Sequence, residues 1–398
     1  MNIKTKKTIS VFTNIAIGLE YFDYVLFPML GSTFIEIFFN NNYQSKAVNF
    51  LFFSLAFYIK IIGSIIFGYL FDISNKVRIL KTLSLLMIIS TASLALLPIS
   101  LSSNFQFIYL IFVIIRIAQA LSFGADMPTS TTIIYEENTK TTANIAKLIL
   151  SATIGPIIAM ILLNLLTSSF LTTCFPKMHL NQFGWRIPLI LSTILGVCSL
   201  FLRTTITSTN QEKTKNYINL PIIRKAFSLL LFPIVLIDIN LYFPFYMNKF
   251  CAIPTITVYQ SQLYSLFFSA LCSLVLCKYK SRYNIRKSYK MLLILFITIS
   301  SFLWKILAFS IIIFMCIWQF FITFGMILGI FLTLEILNIK FRTLVYGTIY
   351  NINFLISSFV PIIFLMLMNK YQNPQILFYL ITIISVISLI GIIRIKKN

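Results

Sequence analysis

The sequence predicts an all-α membrane protein of twelve transmembrane helices in two six-helix halves, and three observations carry that prediction. The first is composition. Of 398 residues, 59% are hydrophobic and only 11% charged, with a mean hydropathy of +0.92, far outside the range of a water-soluble domain. The second is spacing: apolar residues arrive in blocks of roughly 20, one helical crossing each, without the period-two alternation of a barrel. The third is where the +22 net charge sits. Of the 32 Lys and Arg, 24 fall at the two termini and the even-to-odd connections and 6 in the opposite loops, the positive-inside pattern. This predicts both termini in the cytoplasm and an even number of crossings. It also argues against a nucleic-acid partner, because few of these charges belong to any soluble segment.

The first block, about 11 to 36, contains "GLEYFDY", in which Glu20 and Asp23 are three apart and share a helix face. Its length and the lack of a small-residue cleavage site predict a retained helix, not a signal peptide. The second, about 48 to 71, carries Lys60, Gly63, Ser64 and Gly68, small residues that permit close helix approach. Asp72 stands at its cytoplasmic end, where a base such as Arg78 or a neighbouring helix N-terminus has to offset the negative end of the helix dipole. The third block is about 80 to 100. The fourth, about 104 to 127, holds Arg116 and Gln119 and ends at Asp126, with Glu136 following. The fifth and sixth are about 144 to 167 and 186 to 203.

The longest polar stretch, 204–221, reads as a cytoplasmic linker between an N-terminal half, 1–203, and a C-terminal half, 222–398. The seventh block, about 226 to 248, contains Asp238 and Tyr242; the eighth is about 258 to 278. Lys305 separates the ninth, about 289 to 304, from the tenth, about 307 to 334. A single bent crossing there is the alternative and would invert everything after it. Glu335 and Arg342 precede the eleventh block, about 344 to 369, and the twelfth is about 375 to 394.

The informative residues are the ionisable ones inside these blocks. Glu20, Asp23, Lys60, Arg116, Asp126 and Asp238 would each cost about 2.5 to 3.5 kcal/mol facing lipid, so they are expected to face one another or a wet cavity. Helix-locking ion pairs are one use for them. A carboxylate tuned by desolvation and a nearby base, binding and releasing a proton, is the other. The six cysteines are scattered without a CxxC pair, and the single His179 sits in a predicted outer loop, so no metal is expected. No phosphate-binding glycine loop is present and no nucleophile, base and orienting group occur together. No cofactor, no enzymatic activity and no obligate protein partner are therefore expected.

Several segments resemble the metabolite:proton symporters of the major facilitator superfamily. "EYFDY" (20–24) is similar to that family's E-W-Y-D-F in the first helix. "FYIKIIGSIIFGYLFDISNKVR" (57–78) resembles F-x-x-R-P-x-G-x-x-x-F-G-x-x-x-D-R-x-G-R-K, with Lys60 for Arg, Ile61 for Pro, and Gly63, Gly68 and Asp72 in register. "RIAQALSFGADMPTSTTIIYEE" (116–137) resembles R-x-x-Q-G-x-S-x-G-G-E with a later Glu, matching Arg116, Gln119, Gly124, Asp126 and Glu136. "FGWRIPLILSTILGVCSLFLR" (183–203) is similar to the family's G-W-R-I-P-F at the start of the sixth helix. In the second half, "LEILNIKFRTLVYGTIYNINFLISSFVP" (334–361) keeps Glu335, Arg342, Tyr350, Asn351 and Pro361 of a corresponding segment. The loop "CKYKSRYNIRKSYK" (277–290) has lost the acid and glycines of its counterpart.

The resemblance implies the major facilitator fold, a bacterial inner-membrane location, and proton-coupled uptake of a small zwitterion such as proline or a betaine, or of an organic acid. On this reading Glu20, Asp23 and Asp126 carry protons. Lys60, Arg116, Gln119, Asp238 and Tyr242 serve as substrate or charge partners, and Gly68, Asp72, Arg78, Glu136, Glu335 and Arg342 form the cytoplasmic gate. Tyr21, Tyr242, Tyr246 and Trp318 could face a quaternary ammonium, although such aromatics more often pack. A sensor or scaffold that keeps the fold without transport is the rival reading, motivated by the eroded second loop.

Overall fold

The computed structural model describes residues 43–98, 105–138, 184–204, 220–251, 255–278, 285–337, 341–371 and 375–394, with Ala16, Leu19, Phe22, Ile253 and Asn373 as isolated positions. All its secondary-structure elements are helices: α1 Tyr43–Ile73, α2 Lys76–Ala95, α3 Phe105–Asn138, α4 Arg186–Thr204, α5 Leu220–Cys251, α6 Thr255–Lys278, α7 Ile285–Phe309, α8 Ile311–Ile336, α9 Arg342–Ser357, α10 Phe359–Tyr371 and α11 Ile376–Ile393. Among the described residues, seven helices are long and apolar enough to cross a membrane. The first predicted span is described only at Ala16, Leu19 and Phe22, three apart, helical and buried. Glu20 and Asp23, like the fifth predicted span, lie outside the described residues.

The helices are turned inside out relative to a soluble protein. On α1, Ile62, Ile65, Ile66 and Tyr69 are exposed while Lys60, Gly63, Ser64 and Gly68 are buried. Apolar out and polar in is what a lipid-facing bundle requires.

Four boundaries differ from expectation. Helix α3 continues to Asn138, so Asp126 sits inside it and Glu136 lies on it instead of after it. The polar run "DMPTSTT" looks like a helix end, yet its hydroxyls bond their own preceding turn: Thr129 Oγ1 donates to Ala125 O at 2.8 Å, Thr131 Oγ1 to Met127 O at 2.8 Å, and Thr132 Oγ1 to Pro128 O at 2.7 Å. Self-satisfied hydroxyls ride on a buried helix without ending it. Likewise Glu335 is on α8, not beyond it. Lys305 lies within α7; the break falls at Ser310, whose Oγ accepts from Ile313 N at 3.5 Å as the N-cap of α8. Helices α7 and α8 pack against each other, so the ninth and tenth spans are two helices and not one bent helix. Finally, the eleventh span is interrupted, α9 ending at Ser357 and α10 starting at Phe359. Pro361 is the cause, because its ring collides with the carbonyl four residues back, that of Ser357.

The described residues group into two compact units, one holding those up to Glu137 together with α4, the other those from Leu220 onward. In the first unit α1 and α3 cross at backbone contact. A Cβ on Gly63 would lie 2.3 Å from Leu121 O, and one on Gly124 would lie 2.3 Å from Lys60 O. In the second unit Phe243, Phe314, Trp318 and Phe378 form a buried aromatic cluster, with the Phe314 and Trp318 rings stacked at 5.6 Å. Trp318 is wholly buried there, so at this position the aromatic serves packing.

Candidate functional site

Because α1 and α3 touch at Gly124, the Lys60 backbone is pinned against α3, and its side chain is 2% exposed. Lys60 lines a narrow cleft of about 10 Å³, room for about one water, with Ala56, Met87, Arg116, Gln119, Ala120 and Phe123. Its Nζ stands 4.8 Å from the Phe57 ring and 5.1 Å from that of Phe123, both within cation–π range. One turn apart on α3, Arg116 Nη1 donates to Gln119 Oε1 at 3.3 Å, and Gln119 Nε2 donates onward to Thr91 Oγ1 of α2 at 3.2 Å. Gln119 thereby orients the guanidinium. A second narrow cleft, also of about 10 Å³, shares Met87 and Thr91 with this region and is bounded by Leu19 of the first predicted span and Ser192 and Gly196 of α4. The structure thus brings Lys60, Arg116 and Gln119 together, two cations and an amide in an otherwise apolar wall.

Asp126 is not in that cleft lining. It forms a fork with Arg203 of α4: Nη1 lies 2.6 Å from Oδ1, and Nη2 donates to Oδ2 at 2.9 Å. Arg203 Nη1 also donates to Leu80 O at 3.0 Å and Ser84 Oγ at 2.8 Å, and Nη2 reaches Ser130 Oγ at 3.4 Å. Arg203 is fully buried, so it is not one of the cytoplasmic surface charges among which its sequence position places it. A residue at the end of a span reads as a loop charge unless one asks which acid, here Asp126, needs a base.

At the predicted cytoplasmic end, Gly68 is buried, Asp72 half-buried and Arg78 exposed. The base that meets Glu136 is Lys76, the first residue of α2, in an ion pair; Lys140, the base nearest in sequence, lies outside the described residues. In the second unit Glu335 meets Arg286, the second residue of α7, at 3.7 Å, while Arg342 Nε donates to Leu337 O at 2.8 Å and caps α8. Each unit therefore joins a base at the start of its third predicted span to an acid at the end of its fourth. Neither Lys76 nor Arg286 stood out in the sequence, lying among many basic residues.

Asp238 of α5 is 2% exposed, and its Oδ2 accepts a hydrogen bond from Ser357 Oγ at the break between α9 and α10. Tyr242 lies on α5, with its side chain outside the described set.

Buried ionic and amide groups inside helices with apolar outer faces define a multi-pass membrane protein. Residues 14–396 match the Major Facilitator Superfamily, and the chain belongs to that family. It is an all-α membrane protein with the twelve-helix, two-repeat fold of that superfamily. It is 29% identical over 206 residues to a Staphylococcus aureus (strain COL) protein provisionally named a proline/betaine transporter, a stretch covering 50% of this chain and 42% of the relative. The match to the Corynebacterium glutamicum ectoine/proline transporter ProP is 25% over 196 residues, 48% of this chain and 38% of that protein. The chain thus spans about two fifths of the length of the curated relatives it matches. Among solved structures, the proton:xylose symporter XylE superposes with a TM-score of 0.76 at 13% identity, covering 98% of this chain and 95% of XylE. FucP in the outward conformation gives 0.68 at 14% identity over 100% and 99%. At such identities the likeness shows the fold.

Proposed function

We propose that this chain is a secondary active transporter that takes up a small zwitterionic osmolyte, proline or betaine in type, or an organic acid, together with a proton and by alternating access. The observation that carries it is the cleft in which the buried cations Lys60 and Arg116, of the kind that anchor a carboxylate, meet beside Gln119. Buried ionised groups are expensive, and in membranes such groups mark solute paths. The relatives named for proline and betaine support the solute class. Glu20 and Asp23, predicted on one face of the first span, are the proposed proton carriers. Asp126 joins them only when the Arg203 fork opens. The pairs Lys76–Glu136 and Arg286–Glu335, with Gly68, Asp72, Arg78 and Arg342, are the proposed cytoplasmic gate. The protein is proposed to sit in a bacterial inner membrane with both termini in the cytoplasm, its partners being solute, proton and lipid.

The test is uptake of labelled proline, glycine betaine and a panel of organic acids into proteoliposomes, with and without an inward proton gradient. Gradient-driven accumulation of one of them, lost in Asp23→Asn, is expected. Equal distribution of every solute in the wild type would sink the transport reading, and undiminished uptake in the variant would remove Asp23 from it.

A further inference from the structure

Helices α5, α7 and α11 of the second unit carry cations at one depth, and two contacts fix that depth. Tyr289 Oη of α7 donates to Leu229 O of α5 at 2.6 Å, and a Cβ on Gly391 of α11 would overlap the Ser228 hydroxyl of α5. Ser228, Leu229, Tyr289 and Gly391 therefore share one level. At about 1.5 Å per residue, Arg224, Lys225, Lys287, Lys290 and Arg394 fall in a band about 8 Å deep around it. Lys225 is half-buried, and the other four are exposed. Asp238 and Glu335 are the acids of residues 220–398. Asp238 is buried ten residues beyond Ser228, and Glu335 is met by Arg286.

The cations stand over an apolar wall. Lys287 and Lys290 lie on the outward stripe of α7, which continues through Met291, Ile294 and Leu295, all exposed. Arg394 closes the outward stripe of α11, formed by Ile383, Ile387 and Ile390, likewise exposed. The two helices pack side by side, so their outward faces make one surface, aliphatic along its length and cationic at one end. A phospholipid has the matching form, with a phosphate for the cations and acyl chains for the wall. The first unit treats its corresponding cation differently. Arg203, which closes the sixth span, is fully buried and forks onto Asp126, whereas Arg394, which closes the twelfth, stays exposed. Positive-inside bias accounts for bases on this side of the membrane, but it does not require them above an outward aliphatic wall.

We propose that the outward faces of α7 and α11 seat an anionic phospholipid, its phosphate held by Lys287, Lys290 and Arg394, with Arg224 and Lys225 adding to the positive field. Arg394 offers a two-pronged donor to the phosphate oxygens and the lysines offer point charges, while the anionic cytoplasmic leaflet supplies the occupant. The site needs no transported solute, and only its cytoplasmic sidedness rests on the orientation proposed above.

Native mass spectrometry of the purified full chain in neutral detergent, titrated with phosphatidylglycerol or phosphatidylcholine, reads the affinity for each lipid. Phosphatidylglycerol is expected to bind more tightly. Lys287→Gln, Lys290→Gln and Arg394→Gln should each weaken it about fivefold, and together roughly a hundredfold, with phosphatidylcholine unaffected. A charge-keeping variant, Lys287→Arg with Lys290→Arg and Arg394→Lys, should retain the preference. So should Lys305→Gln, which removes an exposed cation toward the other end of α7. Equal affinity of the wild type for the two lipids overturns the proposal. A preference undiminished in the three Gln variants, or a loss as large in Lys305→Gln, overturns it too, because either marks attraction to net charge alone. Displacement of phosphatidylglycerol by millimolar inorganic phosphate also overturns it, since that marks a site for free anions.

Discussion

Replacing Arg203 by Ala tests how the first unit is held together. The substitution removes both arms of the fork on Asp126 and leaves a carboxylate that is 2% exposed without its base. Breaking a buried pair from one side costs about 3–5 kcal/mol. Loss of the donations to Leu80 O, Ser84 Oγ and Ser130 Oγ adds little, since Ser84 Oγ also has Leu80 O at 3.3 Å. In a unit of this size about 1 kcal/mol shifts the melting temperature by 2–4 °C, so Arg203→Ala should lower the apparent midpoint in detergent by about 10 °C. Asp126→Leu with Arg203→Met replaces the pair by apolar groups of similar length and should recover most of the loss, as hydrophobic replacements of buried pairs do. The assay is thermal unfolding followed by tryptophan fluorescence, then proton-driven uptake of each variant that folds. If Arg203→Ala melts within about 2 °C of the wild type, the fork does not hold α3 to α4. If the double variant is stable but has lost gradient-driven uptake that the wild type shows, Asp126 carries a proton as well as a structural bond.

The other predictions concern the cleft and the gate. Gly124→Val drives its side chain into the Lys60 backbone, since even a Cβ would lie 2.3 Å from Lys60 O. No flexible side chain can yield there, so size-exclusion profiles should show loss of folded protein, and a normal monodisperse peak would refute the α1–α3 crossing. Lys60→Gln keeps length but removes charge, and losing a charge-assisted bond worth about 1.5–3 kcal/mol should raise the uptake KM roughly tenfold or more. An unchanged KM would take Lys60 off the solute path. Glu136 is about a quarter exposed, 28%, so Glu136→Gln should cost under about 1 kcal/mol of stability, measured by the same melt, yet change the uptake rate if the pair gates. Reversing the pair, Lys76→Glu with Glu136→Lys, should restore that rate.

Much of the fold was legible because a lipid-facing helix advertises itself by length and apolarity alone. The ten predicted spans that fall on described residues each found a helix, and even the least regular of them, the ninth, is α7. What failed were ends. The "DMPTSTT" run has the polarity that normally signals a terminus, whereas in a bundle hydroxyls can bond the preceding turn and remain buried. The break at Ser310 carries no charge to mark it, whereas Lys305, five residues earlier, does. The interruption at Ser357 was readable in principle: Pro361 fixes it to within one residue by the collision at the fourth carbonyl back.

Partners were harder to foresee than buried charges, and the reason is physical. The penalty for ionised groups in hydrocarbon is local and depends only on the residue and its depth, so Lys60, Arg116, Asp126 and Asp238 could be picked one by one from the chain. Which group relieves each penalty depends on helix rotation and crossing. Arg203 sits 77 residues from Asp126, and Ser357 sits 119 from Asp238. The crossing that places Lys60 against α3 is set by Gly63 and Gly124, and there the sequence did carry a signal, because only glycine lets two backbones meet. The repeat tells the same story. A base opening the third span and an acid closing the fourth recur in both units as Lys76–Glu136 and Arg286–Glu335, although the surrounding loop in the second unit has lost its acid and glycines. The geometry of the hairpin preserves the ion pair, so it outlasts the motif by which the loop would be recognised.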